Sequence, residues 1–555
     1  MKNLPIGISD YKEIAQEHYY YIDKTLFIKE ILDQAKKIIL LPRPRRFGKT
    51  LNLSMLQYFF EKSEENNQQL FTDKAIWQEE KYRAHQGQYP VIFLTLKGVK
   101  QPTWTIAYDT LKIIIANEFK RHRYLLKDSL PIDEASQFQA IIEKKANQAT
   151  LGQSLSLLSE LLYKHYKKRV YILIDEYDMP ITTSYSYGYY GEMIVFMRSL
   201  LEAAFKDNKF LERGVLTGIL RIAKESVFSG LNNFKVCSLT DAPFQDKFGF
   251  TTQEVEHLLK DQRLSKKSAQ VKNWYNGYMF GKTTIYNPWS IIQCADERGL
   301  LKPYWLNTSD NLLVKKLLAS ANQEVKSELE LLLADKTITT IINDAIVFPG
   351  MENNDEAIWS LLLFTGYLAV TKQKLVVGKK ICTLSIPNQE IRILYADLVK
   401  EIFQTTLSRS KTTNLLTSLV EGDSEAFATA LQEFIAKSMS AFDFTKEEPE
   451  KSYHLFILGL LIYLSDTHEI KSNRESGYGR YDIMIIPRKT NKLGIIIEFK
   501  KTAPKETLKK ACERALEQIH TKKYIHEMQD RGIKKIQLLG IACQGKKILV
   551  KAEDV

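Results

Sequence analysis

The segment Ile38-Ile39-Leu40-Leu41-Pro42-Arg43-Pro44-Arg45-Arg46-Phe47-Gly48-Lys49-Thr50 constrains the fold of this chain more than any other stretch. Its apolar start predicts a buried strand, and Leu51, Met55, Leu56, Phe59 and Phe60 recur at helical spacing beyond it, so a loop joins a strand to a helix N-terminus. Such a loop offers backbone N–H groups at the positive end of the helix dipole and cradles phosphate. Gly48 lets the backbone approach a phosphate, Lys49 carries a charge to the outer phosphates, and the Thr50 hydroxyl can join a magnesium shell. Arg46 is a further cation of the loop assigned to the nucleotide. Arg43 stands where the general pattern has its first glycine, and two prolines stiffen the loop. A basic turn before a surface helix is the competing reading of this stretch taken alone.

A site of this kind needs an acidic half at the end of a neighbouring strand, and Val170-Tyr171-Ile172-Leu173-Ile174-Asp175-Glu176 supplies it. Asp175 is expected to hold magnesium and Glu176 to polarise the attacking water, the division of labour that phosphoanhydride hydrolysis requires. Asp178 reads either as a further polar contact or as the turn before Pro180, with the turn favoured. Further strands are expected at 91–96 and 214–220, with helices at 104–121 and around 193–205, giving a parallel α/β sheet with helices on both faces. Thr217 lies where a polar residue could sense the terminal phosphate, and Arg221 could add a positive charge nearby.

At 555 residues the chain exceeds one core, and its 44% hydrophobic and 26% charged residues are those of a folded protein. The pattern divides it at 1–240, 241–345, 346–445 and 446–555. The second part reads as mostly helical. The third, in which a helix at 357–364 precedes two β-rich runs at 367–371 and 381–386, reads as winged-helix-like, although no recognition helix is evident. The charged run Lys446-Glu447-Glu448-Pro449-Glu450 is the candidate last boundary. The apolar run 455–464 is about half of a bilayer crossing and reads as a buried helix, so no membrane partner is expected. Five scattered cysteines and no apolar leader fit a reducing cytoplasm. A net charge of +12 favours a polyanionic partner; residues 448–555 hold 21 Lys and Arg against 14 Asp and Glu, a surplus of 7, more than half of that excess.

The same C-terminal part carries a second constellation. Strands at 479–486 and 494–500 are expected to form a hairpin, and period-two alternation puts Glu498 and Lys500 on one face with Asp482 available from the first strand. Two carboxylates can bind magnesium while the lysine orients water or neutralises phosphate charge, as phosphodiester hydrolysis needs. An apolar helix at 454–464 before the hairpin, a basic helix after it and a strand at 536–542 complete the core order of a restriction-endonuclease-like fold. Glu448 or Glu450 could add a metal-side carboxylate, with capping or plain solvation the favoured reading. Taken alone, Asp482, Glu498 and Lys500 also fit an ordinary half-solvated hairpin.

Both ends resemble known families. Arg43-Pro44-Arg45-Arg46-Phe47-Gly48-Lys49-Thr50, with Arg43 in place of glycine, resembles the loop of the bacterial AAA-ATPase-like family. Five further stretches match in order: Tyr21 to Thr25, Ile174 to Asp178, Thr217 to Ile222, Trp274 to Tyr278 and Tyr286 to Ser290. The C-terminal part resembles the PD-(D/E)XK nuclease superfamily, in the group where Ser472 to Asp482 precedes Ile497-Glu498-Phe499-Lys500; Tyr481 replaces the proline of the superfamily name. This resemblance implies Asp482, Glu498 and Lys500 as the nuclease core and Gln518 as an accessory polar residue. Together the resemblances imply a P-loop ATPase using ATP and Mg2+ to control a nuclease acting on nucleic acid, with DNA the first expectation, defence against foreign DNA a conceivable role and homo-oligomers open. A nucleotide-switched binding or signalling protein with a non-cleaving nuclease fold is the second reading.

Overall fold

Short apolar runs that must bury both faces build the N-terminal sheet. In chain order the elements are β1 (Ile38–Pro42), α1 (Lys49–Phe60), β2 (Val91–Thr95), α2 (Trp104–Arg121), α3 (Ser154–Tyr166), β3 (Val170–Asp175), α4 (Tyr190–Phe205), β4 (Leu211–Gly218) and β5 (Phe234–Val236). Every residue of β1 and β3 is buried. The five strands are parallel in the order β2-β3-β4-β1-β5. β4, which comes last of the long strands, lies between the strand before the glycine loop and the strand before the acidic pair. Its register pairs Pro42 with Gly218 and Leu216 with Ile174, so three strand ends, with their polar residues, finish at one edge.

The computed structural model describes residues 2–127, 130–222, 234–305, 312–351, 354–402, 409–438, 457–476, 479–522, 524–545 and 547–555. They form two compact units, Met1–Leu313 with Thr339–Asn388 and Val314–Ile338 with Gln389–Val555. The run 446–450, including Glu448 and Glu450, and the first residues of the expected helix from His454 lie outside the described residues. No described helix is long and apolar enough to cross a membrane.

Beyond the parallel sheet, the first unit continues with β6 (Phe250–Thr251), α5 (Thr252–Asp261), β7 (Tyr278–Phe280), β8 (Thr283–Tyr286) and α6 (Pro288–Asp296). β6, β8 and β7 form a small antiparallel sheet within a region that reads as mostly helical in sequence, because strands of two to four residues are too short to show a period. β9 (Ile338–Ile342), α7 (Asp355–Thr365), β10 (Ala369–Val376) and β11 (Lys379–Ser385) follow, with a helix preceding the hairpin as expected; the hairpin adds to β9 in the order β10-β11-β9.

The second unit contains helices Gln323–Leu333, Gln389–Ile402, Arg409–Glu421 and Ser424–Ser438, and residues 457–461 are helical before a tight turn at Ile462–Leu464. A five-stranded mixed sheet then forms from β12 (His468–Ser476), β13 (Gly479–Pro487), β14 (Gly494–Lys501), β15 (Ile536–Gln544) and β16 (Lys547–Asp554), with α8 (Leu508–Thr521) between β14 and β15. β13 and β14 are the expected hairpin, and β14 and β15 run parallel, as a crossover through α8 requires. Met484, Ile496 and Leu538 of the sheet pack with Ile519, Tyr524 and Met528 in one core. That core fixes the face on which Glu498 stands.

Candidate functional site

The glycine loop and the acidic strand end meet. Gly48 takes φ +83°, a left-handed conformation that ordinary side chains rarely adopt, and α1 begins at the next residue. Lys49 is buried; its Nζ donates to the Arg43 and Pro44 carbonyls at 3.1 Å and lies 3.2 Å from Glu176 Oε1. Asp175 accepts hydrogen bonds from Thr50 Oγ1 and Thr217 Oγ1, each at 2.7 Å, and a weaker one from Thr95 Oγ1 at 3.4 Å. Burial first and Glu176 second raise the Asp175 pKa, while the Thr217 and Thr50 hydroxyls oppose the shift. Glu176 has φ +54°, and its Oε2 is buried without a partner among the described residues. Five of the sequence-assigned residues, Lys49, Thr50, Asp175, Glu176 and Thr217, are thus in one cluster, to which β2 adds Thr95.

The arginines divide. Arg43 is fully buried, donating to the Pro42 and Cys237 carbonyls at 2.8 and 2.7 Å between the rings of Phe248 and Phe280. Burial lowers its pKa to about 10, so it stays charged at neutral pH. The residue in place of the first glycine therefore ties the loop entrance to a segment two hundred residues on. Arg46 stacks on Trp289, 4.3 Å from the ring centre, and burial lowers its pKa with help from Arg45. Trp289 is set by Asn287, whose side chain caps α6 through Trp289 N and Ser290 N. The Tyr-Asn-Pro-Trp-Ser stretch therefore supports the loop from the far side of the unit's sequence. The Arg221 guanidinium has no hydrogen bond or ion pair among the described residues, although its carbonyl accepts from Ile346 N at 2.8 Å.

Asp178 is more than the turn favoured by the sequence. It is buried, and its Oδ2 accepts from Ile219 N at 3.0 Å and Leu220 N at 2.7 Å, holding the chain just past Thr217. Gly218 makes this approach possible, since a Cβ there would sit 2.4 Å from Asp178 Oδ1. Burial, then Glu176, pushes the Asp178 carboxyl up to about 7. The signal available in sequence was a third acid within four residues of a strand end, next to a Tyr whose hydroxyl also reaches that segment, accepting from Ile222 N at 2.9 Å.

In the second unit, Glu498 is almost wholly buried on β14 and meets three partners. Lys500 Nζ lies 2.8 Å from its Oε1, Gln518 Nε2 of α8 donates to the same oxygen, and Asp482 N donates to Oε2 at 3.3 Å. Asp482 Oδ2 in turn accepts from Phe499 N at 2.7 Å. The strand pairing Ile483–Ile497 brings the two carboxylates together, and the i, i+2 spacing puts Lys500 beside Glu498, as the alternation predicts. Burial, then the proximity of Asp482, pushes the Glu498 carboxyl up to about 7, and Lys500 limits the rise. Gln518 reaches the site because Ala511, Ala515 and Ile519 bury the adjoining stripe of α8.

Two family models match the chain, in that order. Residues 5–228 match one described as a predicted AAA-ATPase, and residues 448–553 match the PD-(D/E)XK nuclease superfamily. An uncharacterized protein in the vnfD 5′ region of Azotobacter chroococcum mcd 1 is 24% identical over 561 residues, spanning 97% of this chain and 96% of its own length. The AAA-ATPase-like part contains the Lys49–Glu176 cluster, and the nuclease-superfamily part contains Asp482, Glu498 and Lys500. These domains support a nucleotide-dependent nuclease at the level of the family; between them, ATPase-like and PD-(D/E)XK domains generally use a nucleotide and a divalent metal. The donors present suit hard cations: a hydroxyl and a carboxylate at 2.7 Å in one cluster, two adjoining carboxylates in the other.

Proposed function

We propose that the protein hydrolyses ATP with Mg2+ and uses that reaction to control a magnesium-dependent nuclease acting on nucleic acid, DNA first, in the bacterial cytoplasm, with defence against foreign DNA as its setting. The observation that carries the reading is the convergence of Asp482, Lys500 and Gln518 on the buried Glu498 carboxylate, in a chain that also brings Lys49, Thr50, Asp175, Glu176 and Thr217 together. In the first unit Lys49, Arg46, Arg221 and the Gly48 backbone bind and orient phosphates, with Thr50 and Asp175 as the metal's ligands. Glu176, with one oxygen buried and unpartnered, takes the proton of the attacking water, and Thr217 reports the terminal phosphate.

In the second unit Asp482 and Glu498 are the proposed metal ligands, and a divalent ion held there supplies Lewis acidity toward the phosphodiester. Lys500 orients the attacking water, and Gln518 fixes the Glu498 carboxylate so that its remaining lone pairs face the site. All five cysteines are buried free thiols, consistent with a reducing compartment.

Incubation of the purified protein with linear, circular and single-stranded DNA and with RNA, with and without ATP and Mg2+, tests this directly. Metal-dependent cleavage that responds to ATP and disappears in Asp482→Ala supports it. Tight nucleic-acid or protein binding with no cleavage under any metal would leave the nucleotide-switched binding protein instead.

A further inference from the structure

The β10–β11 hairpin has no place in either cluster, yet it combines three properties that point to a ligand. Its turn is Val377-Gly378, with Val376 paired to Lys379, and both turn residues have positive φ, +48° and +73°. A two-residue turn of this kind prefers Asn-Gly; a β-branched residue in the left-handed region is strained. Around it the surface is apolar: Leu375, Val376 and Val377 are 73, 40 and 96% exposed. It is also basic. Lys372, Lys374 and Lys379 are exposed, their ammonium groups make no hydrogen bond or ion pair among the described residues, and no Asp or Glu occurs between Glu356 and Glu390.

Lysines alone would be explained as protection of an edge strand, since β10 is the edge of its sheet. Edge protection does not account for an apolar tip held at the expense of backbone strain. The hairpin is nevertheless anchored just below its tip: Lys380, which pairs with Leu375, has its Nζ 2.6 Å from Thr240 Oγ1, 2.7 Å from Asp344 Oδ2 and 3.7 Å from Asp241 Oδ1, and Gln373 Nε2 donates to the Thr240 carbonyl at 3.3 Å. A hairpin held in place on one side, cationic flanks and an exposed apolar tip match a polyanion that has flat apolar surfaces between its charges.

We propose that this hairpin is a duplex wedge, in which Lys372, Lys374 and Lys379 engage phosphates on either side of a base step while Leu375 and Val377 press against the bases and unstack them. The inference rests on the nucleic-acid reading above and adds a contact surface outside the cleavage site. Strain at Val377 is then the feature that keeps an apolar side chain at the point, where Asn would relax the turn.

The test uses the full-length chain carrying Asp482→Ala, so that DNA survives, and a short DNA duplex with 2-aminopurine at its centre. Binding should raise 2-aminopurine fluorescence. The triple variant Lys372→Ser, Lys374→Ser, Lys379→Ser should bind at least tenfold more weakly at low salt, with the slope of log K against log salt reduced by about 2 to 3. Val377→Asn should keep or raise the melting temperature while losing the fluorescence gain, which separates the wedge from a folding defect. Triple-variant affinity and slope equal to those of the parent, or a fluorescence gain that survives Val377→Asn, would overturn the wedge; if the chain with Asp482 restored still cleaves, the nuclease reading stands without it. Lysine-dependent binding to phosphatidylserine vesicles with no duplex binding would overturn it in favour of a membrane surface. A parent chain that neither binds nor cuts any nucleic acid would remove both readings.

Discussion

Lys49 Nζ stands 3.2 Å from Glu176 Oε1, so the cation assigned to the phosphates and the carboxylate assigned to water are in direct contact within one largely buried site. Their roles nevertheless separate on substitution. Lys49→Ala should weaken ATP binding on the order of a hundredfold, the few kcal/mol of a buried charge-assisted phosphate contact. Glu176→Gln should bind ATP and turn it over about 100- to 10,000-fold more slowly. Calorimetry and a phosphate-release assay on both variants check this; wild-type turnover by Glu176→Gln would place the base elsewhere, with Asp178 next in line.

Arg43→Gly restores the general form of the phosphate loop and should nonetheless harm the protein. It removes two short bonds to buried carbonyls and the filling between Phe248 and Phe280, a loss of roughly 2–4 kcal/mol. Urea unfolding of the variant measures it. A variant as stable as the wild type would show that the guanidinium is replaceable by solvent.

Asp178 gives the stability of the first unit a pH signature. Its carboxyl titrates near 7 in the fold against an ordinary 3.8, so between about pH 4 and 7 the folded chain holds a proton that the unfolded chain has released. Stability contributed by that proton is present at low pH and lost as pH rises through 7. Asp178→Asn removes the titration, so its stability relative to the wild type should climb by on the order of a few kcal/mol from pH 4 to pH 8. Unfolding curves across that range would show a flat difference if burial of Asp178 were relieved by solvent.

For the second unit, Asp482→Ala and Glu498→Ala should retain nucleic-acid binding while cleavage falls by orders of magnitude. Gln518→Leu keeps the volume of the side chain and removes the donor to Glu498; cleavage should fall about 10- to 100-fold with little change in substrate affinity. A matched drop in affinity and rate for Gln518→Leu would assign Gln518 to substrate contact instead.

Much of the fold and of the candidate site is legible in the sequence, and the limits are physical. β1, β3 and β4 are legible as apolar runs, with Gly-Lys-Thr at the start of the helix that follows β1 and Asp-Glu at the end of β3. The insertion of β4 between β1 and β3 was not legible, because parallel neighbours are chosen by packing and leave no local mark. β12 leaves little mark because Ile470 is its one apolar residue between His468 and Ser476, and β16 because its burial alternates weakly. Arg43 and Asp178 were hidden by a general expectation: charged residues read as surface, and only partners distant in sequence, the carbonyl of Cys237 and the amides of Ile219 and Leu220, make their burial tolerable.

The fastening of Arg43 also sets a timetable. The loop at 43–50 leaves the ribosome early, but the carbonyl and ring that hold its entrance, at Cys237 and Phe248, are made roughly 200 residues later. At about 5–20 residues per second that is a delay on the order of 10–40 s. During synthesis the nascent chain therefore carries a glycine loop that is encoded but not yet fastened, and the contacts that hold its entrance arrive only when the segment beyond the sheet has been delivered.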